Sequence, residues 1–254
     1  MVGDVTTMNR DTGLWLRRFH PADNAPSVVV LFPHAGASAS YFFPMARELA
    51  PAADVLSVQY PGRQDRRKEP VVDNIDALAD AVRDELGPWL DRPLTLFGHS
   101  MGATLAFEVA RRLEQAGTGP AALVVSGRRA PSRHRKETVH LLDDKGLVAE
   151  LKKLNGTESA LFADEELLRM VLPAIRADYK AAETYEYRPG PALRAPIHAL
   201  VGDDDPESSV EEAGAWQGNT SGAFSLRTFP GGHFYLVPHG AAVTEIVGAV
   251  AAGR

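Results

Sequence analysis

The sequence has no cysteine among its 254 residues. Disulfides, thiolate zinc sites and a cysteine nucleophile are therefore excluded, and the absence fits a reducing compartment. No apolar run reaches the ~20 residues that a bilayer-spanning helix needs. Basic residues are not in excess either. Lys and Arg number 27 against 33 Asp and Glu, giving a net charge of −6 and a pI near 5.8. A general nucleic-acid binder should be basic, so that class is set aside. The stretch Met1–Gly13 mixes Asp, Thr, Asn and Arg around no apolar core, and no secretory leader is read there. A cytoplasmic monomer that needs no cofactor is the expectation.

What the chain does contain is an alternation of apolar runs and helical periods. Val28–Phe32, Val55–Gln59, Leu94–Phe97, Leu123–Ser126, Ile197–Val201 and Ser225–Phe229 read as buried strands. Helical spacing lies between them, over about 41–50, 75–90, 103–115 and 210–217, with a last helix over about 241–252. Continuous apolar strands separated by helices predict an α/β fold, a mostly parallel twisted sheet covered on both faces. Leu14–Phe19 alternates, as an edge strand does. About 70 residues separate Ser126 from Ile197, whereas a strand-helix-strand crossover needs only about 30. Asp143–Leu154 and Asp164–Tyr185 look helical there, and Pro173 is expected to kink or split the second. Helices inserted after the strand at Leu123–Ser126, at the carboxyl ends where open α/β sheets bind ligands, predict a lid over about 132–188. The plainer alternative is packing on the sheet edge.

Gly98-His99-Ser100-Met101-Gly102 lies between a strand and a helix. Glycine, any residue, serine, any residue, glycine in that context is a nucleophile elbow, with the serine at a sharp turn and a helix N-terminus behind it. The plain alternative is a Gly-Ser turn capping an ordinary helix. A serine hydroxyl needs a base, and the base needs an orienting carboxylate. In elbow-type hydrolases the order along the chain is serine, acid, histidine. Of eight histidines only His233 and His239 follow the late acidic cluster. His233, after Gly231-Gly232, directly follows a strand, whereas His239 follows Pro238 and reads as a helix cap. Gly202-Asp203-Asp204-Asp205-Pro206 offers the acid. Asp205, held extended by Pro206, is preferred, with Asp204 the alternative. The oxyanion hole needs two converging backbone N–H groups. Met101 supplies one, and Ala35, in the Phe32–Ser38 loop, supplies the other. His34 and His99 read as braces for their loops.

The chain resembles the type II, stand-alone thioesterases that accompany polyketide synthases and non-ribosomal peptide synthetases. The matching residues are Phe32-Pro33-His34-Ala35-Gly36, Gln59–Arg63, Gly98–Gly102, Ser126–Pro131, Leu172–Tyr179, Gly202–Pro206 and Pro230–Phe234. Ala37 departs from the pattern, a second glycine being common there. The resemblance implies one α/β-hydrolase domain over 1–254 with a helical lid. It also implies removal of stalled or aberrant acyl groups from the phosphopantetheine arm of acyl or peptidyl carrier proteins. It places Ser100, Asp205 and His233 in the triad and Ala35 and Met101 in the oxyanion hole. No metal is expected, and the substrate brings the phosphopantetheine. Carrier proteins are generally acidic. Arg63, Arg66, Arg67 and Lys68 form one basic cluster, and Arg128, Arg129, Arg133, Arg135 and Lys136 a second. Both follow strand ends and are candidates for carrier or phosphopantetheine contacts, or else a solvated surface. A product-releasing thioesterase, an acyltransferase and a general carboxylesterase share the same elbow and triad. Lid residues Leu154, Leu161, Phe162, Met170 and Leu172 are candidates for the acyl chamber.

Overall fold

The computed structural model describes residues 13–155 and 165–254. The strands are β1 (Leu16–Arg17), β2 (Val28–Phe32), β3 (Asp54–Val58), β4 (Leu94–His99), β5 (Ala122–Ser126), β6 (Ile197–Gly202) and β7 (Phe224–Phe229). They form one sheet in the order β1-β3-β2-β4-β5-β6-β7. Every pairing from β3 to β7 is parallel, and only β1 runs antiparallel, against β3. The sequence reading of a mostly parallel sheet with one short edge strand is thus met.

The continuous apolar runs serve two cores at once, because successive side chains on a strand point to opposite faces. Val28, Val30 and Phe32 of β2 join a cluster with Leu96, Leu105, Val109 and Leu123. Val29 and Leu31 join another with Phe97, Met45, Val243 and Val247. Helices α2 (Ile75–Glu85) and α3 (Met101–Gln115) cover the first face, and α1 (Phe43–Leu49) and α7 (Gly240–Ala251) the second. The short α6 (Val210–Gly214) opens with a capping box between Ser209 and Glu212.

Between β5 and β6 lie α4 (Asp144–Asn155) and α5 (Glu165–Glu183). Leu147, Leu151, Leu172 and Ile175 form a third apolar cluster, apart from the two that sandwich the sheet. Pro173 does not split the second pattern: α5 runs through it as one helix. A proline there removes one intrahelical hydrogen bond, and burial of Leu172, Ala174 and Ile175 around it offsets the loss. Leu161 and Phe162 lie outside the described residues.

Candidate active site

The carboxyl ends of four neighbouring strands converge on Ser100. The serine caps α3 with φ 56° and ψ −122°, a strained conformation for a residue with a Cβ, costing on the order of 1–3 kcal/mol. The elbow tolerates it because of the close packing on both sides. A Cβ on Gly98 would come within 2.1 Å of Gly102 O, and one on Gly102 within 2.1 Å of Phe32 O. The Ser100 N–H donates to Ser126 O at 2.8 Å, which ties the turn to β5.

His233 Nε2 lies 3.0 Å from Ser100 Oγ. Its Nδ1 lies 3.0 Å from each Asp205 carboxylate oxygen, and both side chains are buried. A carboxylate only accepts, so Nδ1 carries the proton and Nε2 presents a lone pair to the serine hydroxyl. Asp205 Oδ1 also accepts the Glu207 N–H at 2.9 Å. Asp204 is exposed; its N–H binds Gly231 O, and Asp203 Oδ1 accepts the Gly231 N–H. The two other aspartates therefore shape the loop that carries His233. His239 occupies the N-cap position of α7 but makes no side-chain cap there, its Nε2 lying 3.1 Å from Pro230 O instead.

Two further histidines brace the site. His99 Nδ1 lies 2.9 Å from Ser126 Oγ, which lies 2.6 Å from the Tyr235 hydroxyl. The His99 ring lies 5.0 Å from that of His233. Burial pushes its pKa well below the ordinary imidazole value. His34 Nδ1 donates to Ala35 O at 2.9 Å, and burial pushes its pKa down to about 4. Both rings are neutral packing and hydrogen-bonding elements at pH 7. Ser126 opens the matching Ser126–Pro131 segment, but sequence reasoning gave neither it nor Tyr235 a role.

Ser100 opens on a cavity of about 270 Å³, whose walls include Ala35, Met101, Leu154, Tyr179, Arg128 and Glu207. The wall is more polar than an acyl chamber built from the expected lid residues alone. Of those residues, Leu154 lines it, Leu172 is buried in the α4–α5 cluster, and Met170 is 59% exposed. Burial raises the Glu207 carboxyl above its ordinary range, with Glu137 adding to the effect. The same cause lowers the Arg128 guanidinium to about 10, and Arg129 adds to it. Arg128 donates to Thr104 Oγ1 at 3.0 Å and faces no carboxylate partner among the described residues.

The basic clusters need correction. Arg63 is buried in an ion pair with Asp178. Arg66 is buried against Glu69 and stacks over Trp15. Arg129 is buried against Glu137. These three charges are neutralised inside the fold and do not face a docking partner. Arg128 belongs to the cavity rather than to an outer rim, and Arg135 is paired with Glu212. Only Arg67 and Lys68 of the first cluster stand exposed. Sequence reading missed this because Asp178 and Glu212 are remote in the chain, and because burial of Arg66 and Arg129 beside the nearer Glu69 and Glu137 leaves no local pattern.

Residues 28–252 match the thioesterase domain family. The chain belongs to the thioesterase family. Its curated relatives include a probable cadicidin biosynthesis thioesterase of Streptomyces griseus, 53% identical, covering 97% of this chain and 68% of that protein. Thioesterase PikA5 of Streptomyces venezuelae is 53% identical over 90% of this chain and 82% of its own. The solved type II thioesterase BorB, from the borrelidin biosynthetic cluster, superposes with a TM-score of 0.88 at 56% identity, covering 93% of this thioesterase and 97% of BorB. The resemblance to type II thioesterases and the α/β-hydrolase fold it implied are borne out. The protein is a thioester-hydrolysing enzyme.

Proposed function

We propose that this thioesterase edits a modular assembly line, hydrolysing stalled or aberrant acyl groups from the phosphopantetheine arm of carrier proteins. The observation that carries the reading is the unbroken series of contacts from Asp205 through His233 to Ser100 Oγ at the wall of a closed-in cavity. His233 Nε2 takes the hydroxyl proton as Ser100 Oγ attacks the thioester carbonyl. Asp205 holds the ring and stabilises the imidazolium. The tetrahedral oxyanion rests on the N–H groups of Ala35 and Met101. The C–S bond breaks, the thiol leaves with the proton from His233, and an acyl-enzyme remains. Water, deprotonated by the same nitrogen, releases the free acid. The α4–α5 insertion acts as the lid over this cavity, and the chemistry needs no resident cofactor.

Intact-mass spectrometry on a panel of acylated carrier proteins tests the proposal. The wild-type enzyme should return free carrier, and Ser100→Ala should lose nearly all turnover, by about 10⁶-fold as for other serine triads. Faster turnover of simple esters than of carrier-bound thioesters would overturn the editing assignment. Appreciable turnover by the alanine variant would overturn the nucleophile.

A further inference from the structure

Asp178 lies on α5, and its side chain is 1% exposed. Its two carboxylate oxygens take three donors. Oδ2 accepts from Gly36 N–H at 2.7 Å and from Arg63 Nη1 at 2.6 Å, and Oδ1 accepts from Arg63 Nη2 at 2.9 Å. Arg63 in turn donates from Nη1 to Ala37 O at 3.1 Å, and it stacks over the Tyr60 ring. The Tyr60 hydroxyl donates to Pro33 O at 3.0 Å. Three of these contacts fall on the loop that carries Ala35, at Gly36 N–H, Ala37 O and Pro33 O.

The peptide units of that loop are fixed in turn. Pro33 O is held by Tyr60, and His34 O accepts the Ala37 N–H at 3.0 Å. The Ala35–Gly36 unit is held at both ends, its carbonyl by His34 Nδ1 and its N–H by Asp178. The Ala35 N–H therefore sits between two held peptide planes, one fixed by Tyr60 and the other by His34 and by the charge-assisted bond to Asp178. Gly36 has φ +81°, and a Cβ there would meet Ile175 of α5 at 3.0 Å. The loop and the insertion helix are in contact through both a carboxylate and an apolar side chain.

We propose that Asp178, with Arg63, is the positioning pair of the oxyanion hole, so that seating α5 aims the Ala35 N–H at the transition state. The inference rests on the serine-hydrolase reading above and adds a dependence of catalysis on the insertion. An oxyanion donor acts on the transition state and not on the bound substrate. Loosening it should lower kcat and leave substrate affinity in place. A pair serving stability alone would lower the melting temperature and leave the folded enzyme's kcat unchanged.

The experiment compares wild type with Asp178→Asn, which keeps the shape and one acceptor, and with Arg63→Lys as a second variant. Three quantities are measured on folded, active-site-titrated protein. They are kcat and KM on an acyl pantetheine thioester, affinity for an alkyl boronic acid, and affinity of the Ser100→Ala background for a non-hydrolysable acyl-pantetheine amide. The boronate forms a tetrahedral adduct on Ser100 Oγ with an oxygen in the oxyanion hole. We expect kcat and boronate affinity to fall together by about 10–100-fold, with KM and amide affinity within about twofold. Equal losses in amide and boronate binding, or unchanged kcat and boronate affinity in both variants, would overturn the inference alone. A wild-type chain that neither cleaves the thioester nor binds the boronate would overturn the hydrolase reading and this inference with it.

Discussion

At the residue scale the triad was legible because its chemistry is written in local spacing. Gly98 and Gly102 mark the turn, and Asp205 and His233 each follow the end of a strand. What spacing could not convey is burial. His34 and His99 read from the sequence as braces for their loops, and the fold adds that both are kept neutral by burial, His34 down to about 4. This has a sign that can be checked. Their folded-state pKa values lie below the unfolded value near 6.5, so the unfolded chain binds protons first on acidification. Stability is full above pH 6.5 and declines as pH falls from 6.5 towards 4. Each such group contributes a slope of at most about 1.4 kcal/mol per pH unit. His34 is half-buried as a residue, so about 1–2 kcal/mol at pH 5 is expected from it after allowing for screening. Urea unfolding of wild type and His34→Gln at pH 7.5 and pH 5 reads this directly. The variant should lose less stability between the two values. Parallel losses would show that the ring is free to take its proton in the fold.

At the scale of elements, the six strands fall within a residue or two of where the apolar runs place them; five are buried, but β7, expected to be buried too, is an edge strand with only Phe229 buried. The five are fixed by short-range pattern and by burial on two faces. The insertion was harder. Its length was plain from the gap, but the run of α5 through Pro173 depends on contacts with α4 that no local window contains. Those contacts form a separate core, and a separate core predicts separate stability. Leu172→Ala removes a side chain that is 5% exposed in the Leu147–Leu151–Ile175 cluster, at a cost of about 2–4 kcal/mol. Amide exchange in α4 and α5 should accelerate by about two orders of magnitude. Amides of β4 and α3 should keep their wild-type rates. Equal acceleration in the sheet would mean that insertion and sheet unfold as one unit.

At the scale of the whole molecule, charge bears on how the proposed carrier, if acidic, would approach. The enzyme itself carries −6, so the two proteins repel at long range. Screening leaves a reach of about 8 Å at physiological salt, and local charges then govern the final approach. Burial removes three of the nine clustered cations that the sequence offered. Arg63, Arg66 and Arg129 are closed into ion pairs, and Arg66→Glu would set two acids against each other beside Trp15 rather than probe a surface. Arg67 and Lys68 are exposed and adjacent, and with Arg133 and Lys136 they are the clustered cations left at the surface to meet a carrier. If Arg67 and Lys68 guide the carrier, the wild-type kcat/KM on carrier-bound substrate falls as salt rises, because screening weakens an attraction. The double variant Arg67→Glu/Lys68→Glu should lower kcat/KM about tenfold at low salt and reverse the slope, since screening then relieves a repulsion. Turnover of a free acyl pantetheine thioester should not change, because a small uncharged substrate needs no docking. A salt slope that is the same in both proteins would remove this face from the encounter and leave the approach to shape alone.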